Sequence, residues 1–354
     1  MIDTAEPEVW ADNETPGLER AWYAVAMSHE VTDRPVAVRL LGKEWVVARL
    51  GSGLTAFEDR CPHRLAPLSI GEICGDVLQC RYHGWEIDAG GCTVRIPSVG
   101  DDAAIPGRAR VDTPWGIQER YGLVWLAPEE PVCDLPELPE WDDPRFDRCW
   151  NDPRATPAGA IQLTDNFLDA THLPTVHTTT FGVPDEGYLP PHEVERGDWT
   201  GSTTYVAPYR NHDDPKVETG EHPLVQEHRL FKEFSAATTA VVRLTFPMTG
   251  GVIAILFSCQ PEALGASKVF KVMARNDFGG DRAKLDASVE FEDRVLDEDL
   301  AILEAYRHTA VPLDPRVEVH TRTDKLSLAY RRMLAGMVSG GAASGGAASG
   351  GAAS

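Results

Sequence analysis

The chain has 354 residues, 42% of them apolar, and its 33 Lys and Arg against 55 Asp and Glu give a formal net charge of −22. At roughly 100–200 residues per domain this suggests about two domains with an interior large enough to bury a cofactor. Nucleic acid and anionic membrane surfaces are excluded as partners, because so acidic a chain is repelled by both. Apolar runs such as Val252–Phe257 fall far short of the ~20 residues of a membrane helix. The start, Met1–Glu6, has no cationic stretch ahead of an apolar one, so a cytoplasmic protein is expected. The odd set of Cys61, Cys74, Cys80, Cys92, Cys133, Cys149 and Cys259 reads as thiols or metal ligands rather than a disulfide framework.

In chain order, residues 1–20 form an N-terminal segment. Short β-prone runs split by turn residues follow, among them Trp22–Val25, Val36–Leu40, Glu44–Ala48 and Gly122–Leu126. They predict a small antiparallel β domain over 21–130. The stretch 131–153 is crowded with Pro and acid, a composition expected to form neither ladder nor helix, and is taken as a linker. Residues 154–338 predict an α+β domain: a short helix near Thr164–Thr171, strands at Thr238–Phe246 and Gly251–Ser258, a helix over Asp281–Arg307 and an amphipathic stretch at Leu326–Leu334. Tyr209–Glu221 lacks periodicity and reads as a mobile loop or lid. The Ser-Gly-Gly-Ala-Ala repeats of 339–354 have nothing to bury and read as a flexible tail.

The strongest chemical signal is Cys61-Pro62-His63 and, 16 residues on, Cys80-Arg81-Tyr82-His83. Each half offers one thiolate and one imidazole. A tetrahedral zinc uses such ligands too, but zinc modules bring them as Cys-Cys and His-His pairs. Mixed pairs suit a two-iron cluster with Cys61 and Cys80 on one iron and His63 and His83 on the other, whose neutral imidazoles raise the reduction potential. Cys61–Arg64 and Cys80–Trp85 resemble the Rieske [2Fe–2S] signature, with Arg81 where many relatives have Pro. Cys74 and Cys92 belong to neither loop and read as ordinary thiols.

A second constellation is Asp165-Asn166-Phe167-Leu168-Asp169-Ala170-Thr171-His172-Leu173-Pro174-Thr175-Val176-His177. On an ideal helix the two His would diverge by about 140°, so Pro174 between them supplies the break that turns both inward. A carboxylate would complete the two-His-one-carboxylate face that binds ferrous iron. Of the acids between Glu290 and Glu304, Asp299 alone lies within an apolar stripe of Val295, Leu296, Leu300, Ile302, Leu303 and Tyr306. A carboxylate facing inward needs a partner: a metal, a buried Arg, or a neighbouring strand that it caps.

Over residues 20–335 the chain resembles the oxygenase (alpha) subunits of Rieske non-haem iron oxygenases, closest to the group around vanillate O-demethylase and dicamba monooxygenase. The resemblance implies a Rieske domain followed by a helix-grip catalytic domain with a central antiparallel sheet. It makes His172, His177 and Asp299 ligands of a mononuclear Fe(II). Asp169 becomes the acid that links the cluster of one subunit to the iron of the next, and Asn166 a residue near the iron. The implied activity is hydroxylation or O-/N-demethylation of an organic, aromatic substrate with O2. Electrons come from NAD(P)H only through a separate reductase or ferredoxin, since the chain has no Gly-x-Gly-x-x-Gly for a dinucleotide. A head-to-tail homotrimer is implied. Two alternatives stand beside it: a cis-diol-forming ring dioxygenase, with the same ligands, and a Rieske electron carrier, which leaves His172, His177 and Asp299 unexplained. Ile253, Ile255 and Phe257 are expected as an apolar pocket wall, and His29, His192, His212, His222, His228, His308 and His320 as surface or loop residues.

Overall fold

A computed structural model describes residues 9–184 and 186–340; most of the expected tail lies outside the described residues. The N-terminal half is antiparallel β throughout. Gly116–Arg120, Leu123–Ala127 and Tyr23–Met27 form one three-stranded sheet, and Val36–Leu40, Lys43–Leu50 and Gly53–Glu58 another. Four short strands between Glu72 and Arg95 form a third sheet. The C-terminal half is one eight-stranded antiparallel sheet in the order Asp147–Trp150, Ala266–Arg275, Gly251–Ala263, Thr239–Phe246, Val225–Ser235, Thr200–Arg210, Val194–Arg196, with Arg154–Thr156 also on Ala266–Arg275. Helices Ala160–Leu168, Arg282–Leu303 and Lys325–Val338 supply the α part of this α+β architecture. No helix among the described residues is long and apolar enough to cross a membrane.

The expected elements are present with shifted ends. The first helix starts four residues early, at Ala160, because its N-terminal donor is capped from a distance: Asn13, far away in sequence, accepts from the Ala160 N–H at 2.8 Å. The long helix stops at Leu303, and both Ile302 within it and Tyr306 beyond it are exposed rather than in the buried stripe. The stretch 131–153 is not irregular. Pro139 opens a short helix, where its missing N–H costs nothing, and Asp147–Trp150, free of Pro, joins the large sheet. The proposed lid is also structured: Tyr209 and Arg210 end a strand, and buried Asp214 caps the short helix Pro215–Glu218 through the Lys216 N–H.

Asn13 ties three segments together. It is 1% exposed, and its Nδ2 lies 2.9 Å from each of Ala263 O, Ala266 O and Ser267 Oγ. The N-terminal segment is thereby bonded both to the strand turn at 263–266 and to the start of the helix that leads into the His172 region. Truncation leaves several buried groups unpaired, at about 1–3 kcal/mol each where no water enters. Asn13→Ala is therefore expected to lower unfolding stability by about 2–4 kcal/mol, measured by urea denaturation; a loss under 1 kcal/mol contradicts the anchoring role.

Candidate functional site: two metal-competent constellations

The two Cys-His loops repeat one backbone solution. In the first, the Leu65 N–H donates to Cys61 O and the Cys61 N–H to Ala66 O; in the second, Gly84 donates to Cys80 O and Cys80 to Trp85 O, at 2.8–2.9 Å throughout. Each turn needs a residue at positive φ, met by Leu65 at 60° and Gly84 at 69°. Such a conformation is free for Gly and strained for Leu. Cys61 and Cys80 are buried at 1% and 2% exposure, while His83 is exposed and His63 half-buried, stacked on Trp85 at 4.6 Å. The two Nδ1 atoms face one another at 3.1 Å. Burial, with Cys80 adding to it, pushes the bare Cys61 thiol up to about 11. A bound cation would favour the Cys61 thiolate, and the four residues fit a cluster with its sulfur ligands inside and its imidazoles at the surface.

The second constellation is interior. His172 and His177 are not helix-interior residues but the two caps of a single turn, Leu173–Val176, with Pro174 in it. Their ring centroids are 5.1 Å apart. Both Nε2 atoms approach Asp299 Oδ1, from His172 at 3.4 Å and from His177 at 3.3 Å. Asp299 is 5% exposed and its Oδ1 has no hydrogen-bond partner. One ligand atom from each residue lies within 4.8 Å of the others, a set that could hold a metal ion. Burial alone would raise the Asp299 carboxyl, but the two imidazoles outweigh it and hold it well below the usual range. The orphaned oxygen and the two lone pairs aimed at it fit a ferrous ion with open positions.

Each imidazole is oriented through its other nitrogen. His172 Nδ1 donates to Asp169 Oδ2 at 2.9 Å, and the same carboxylate accepts the N–H groups of Thr171 and His172. His177 Nδ1 donates to Glu298 Oε2 at 2.8 Å; Thr180 also donates to Glu298, at 2.7 Å, as does Thr179. Both bonds fix the tautomer that leaves Nε2 unprotonated. Lys232, 3% exposed, donates to the Asp169 carbonyl oxygen; burial pulls its ammonium down to about 8 against the pull of Asp169 and Asp299.

An apolar cavity of about 80 Å³ opens beside this triangle between the sheet and the long helix, with Phe167, Phe181, Tyr209, Leu230, Ile255 and Phe257 in its walls. Ile255 and Phe257 are thus pocket residues, as expected; Ile253 is not among them. A larger, polar cavity of about 580 Å³ lies on the other side of Asp169 and contains Asp165, Asn166 and Arg331. Asn166 lines that cavity and not the one beside the triangle. Two of the histidines expected at the surface are buried: His192 at 8% and His228 at 1%, the latter in the apolar cavity. Sequence reasoning also missed Glu298 and Lys232. Glu298 borders the Asp299 stripe and was one acid among many; Lys232 sits in a strand with polar residues on both faces, which hides its inward position.

A surface loop pair of two Cys and two His, joined to an interior triangle of two His and one carboxylate, defines a Rieske non-haem iron oxygenase. Comparison with known proteins agrees. The family model "Vanillate O-demethylase oxygenase C-terminal domain" matches residues 157–340, and "Rieske [2Fe-2S] domain" matches residues 21–109. The chain belongs to this oxygenase family, whose members are O2-dependent demethylases and monooxygenases. It is 29% identical over 336 residues to methylxanthine N1-demethylase NdmA of Pseudomonas putida, covering 91% of this chain and 90% of the relative. Over 170 residues, 45% of this chain and 48% of the relative, it is 32% identical to the dicamba O-demethylase oxygenase component of Stenotrophomonas maltophilia. The structure of NdmA with caffeine superposes with TM-score 0.79 at 26% identity, covering 91% and 92% of the two chains. Dicamba monooxygenase, at 21% identity and TM-score 0.77, shares the fold. The electron-carrier alternative is thereby set aside.

The Glu298 bond makes a prediction. Glu298→Gln replaces a charged acceptor with a neutral one and is expected to weaken metal binding at the triangle about 10–100-fold. Titration of apo protein with Fe(II) or Co(II) measures this; unchanged affinity with an unchanged fold would falsify the orienting role.

Proposed function

We propose that His172, His177 and Asp299 hold one ferrous ion and that Cys61, Cys80, His63 and His83 hold a [2Fe–2S] cluster. In this reading the enzyme removes a methyl or similar small alkyl group from a heteroatom of an aromatic substrate. The observation that carries it is the buried Asp299 Oδ1, unpartnered, with two imidazole nitrogens within 3.4 Å and an aromatic-walled cavity alongside. When bound, the cluster supplies single electrons and the ferrous ion activates O2 at the positions the protein leaves open. The rest is the work of the chain. Asp169 and Glu298 keep the Nδ1 protons and so keep both Nε2 atoms free as donors. The Lys232 ammonium offsets the charge of Asp169 and Asp299. The aromatic walls exclude water and hold a flat ring beside the triangle.

Demethylation is favoured over ring dihydroxylation by the relatives, which carry N1-demethylase, O-demethylase and N-alkylformylase activities in their names. Several of these relatives are components or subunits of larger systems, which supports a reductase or ferredoxin partner here. A head-to-tail trimer is supported by two exposures. His83 is at the surface, and the Asp169 side chain keeps 27% of its area open, so a second copy has access to both. The free cysteines support a reducing, cytoplasmic setting.

Metal analysis tests the ligand assignment. The purified protein is expected to carry about three irons per chain, and Asp299→Ala about two with the cluster's visible spectrum retained. Three irons in the variant would remove Asp299 from the ligand set. The bridging role of Asp169 is tested separately by Asp169→Asn, expected to slow substrate-triggered single-turnover oxidation of the cluster at least tenfold when the variant is reconstituted to the parent's iron content. Oxidation at the parent rate would refute it.

A further inference from the structure

The apolar cavity contains polar side chains that the ligand set does not use, and two of them come from one strand. His228, Leu230 and Lys232 occupy alternate, inward positions of Val225–Ser235 and all line the cavity. Lys232 is committed to the Asp169 carbonyl and to the charge of Asp169 and Asp299. His228 is not committed. It is 1% exposed, its Nδ1 has no hydrogen-bond partner, and its ring neighbours are Tyr209 at 5.2 Å and Phe246 at 6.0 Å.

The backbone of Ala207, directly opposite His228 on the neighbouring strand, bonds the ring. One carbonyl serves one nitrogen, and an imidazole has two. At least one ring nitrogen is therefore left for a molecule in the cavity. Buried polar atoms are rarely left unpaired, and in a ligand pocket the missing partner is what the ligand brings. Burial, with the Lys232 charge acting in the same direction, holds the imidazole far below its usual range, to about 4, so it presents no positive charge.

Position decides which part of a ligand it reads. Four residues along a strand span about 13 Å, so His228 lies at the end of the cavity away from Lys232 and the Asp169 segment. We propose that His228 is the specificity-determining residue of the cavity: it hydrogen-bonds an uncharged polar group, such as a hydroxyl, amide or ring nitrogen, on the part of the aromatic substrate remote from the alkyl group removed. A neutral imidazole favours such a group over a carboxylate or sulfonate, which would want a fixed positive charge there. The proposal rests on the oxygenase reading and names its substrate class.

The test is equilibrium binding by calorimetry of three probes, anisole, 4-methoxyphenol and 4-methoxybenzoate, to the iron- and cluster-loaded protein, its His228→Leu variant and its His228→Gln variant. In the parent, 4-methoxyphenol is expected to bind at least about tenfold tighter than either other probe. That ratio should fall to near one in His228→Leu and partly recover in His228→Gln, whose amide can still hydrogen-bond. A ratio unchanged in His228→Leu, a benzoate preferred by the parent, or no probe bound at millimolar concentration overturns the proposal. Iron content separates the two levels: three irons with a flat ratio sink the role of His228 alone, whereas two irons sink the oxygenase reading itself.

Discussion

A carboxylate in an apolar interior is the constraint around which the catalytic half is arranged. Asp299 sits on a helix face with Leu296, Leu300 and Leu303, all buried. A charge placed there is expensive unless it is paired or coordinates a metal. The imidazoles of His172 and His177 alone are incomplete partners, because their protons are held on the far nitrogens by Asp169 and Glu298. In the bare protein the imidazoles hold the carboxylate ionised, and with their Nδ1 protons kept by Asp169 and Glu298 their Nε2 atoms and Asp299 Oδ1 form a three-atom set that a divalent cation would complete.

The two constellations solve different problems and accordingly sit at different depths. The Cys-His loops keep sulfur inside and imidazole outside, so a cluster held there would meet a redox partner through exposed rings while its thiolate ligands stay dry. The triangle keeps its three residues at low exposure and borders an apolar cavity. Asp169 belongs to both demands. Its Oδ2 fixes His172, yet part of its side chain remains open beside a large polar cavity.

Legibility in the sequence followed the range of the interactions. The two Cys-His loops were readable because each carries its Cys and His within four residues, and the turn that presents them is closed by local hydrogen bonds. Asp299 was readable through helix periodicity, a local property as well. The helix beginning at Ala160 was not, because its cap is Asn13, about 150 residues away in sequence. The strand Asp147–Trp150 was obscured by the prolines on either side of it, although none falls inside the ladder. His228 and Lys232 were hidden because alternation in Val225–Ser235 places polar residues on both faces, and only the cavity distinguishes inward from outward.

The two cavities show why chemistry rather than size locates the reaction. The larger is lined by Asp165, Asn166, Glu318 and Arg331, where the Arg331 guanidinium bonds Asp165 at 2.8 Å and also pairs with Glu318. Several polar atoms there have no protein partner, among them Asp165 Oδ1, Asn166 Nδ2 and Arg331 Nε. Mixed donors and acceptors in so roomy a space are what water satisfies, and a wet cavity screens charge instead of concentrating it. The smaller cavity has the opposite character: aromatic walls, few polar atoms, and three converging metal-competent ligands at one end. Its low polarity strengthens every electrostatic contact made inside it, so a single neutral imidazole at its far end is enough to orient a flat molecule that the walls alone would hold in several ways.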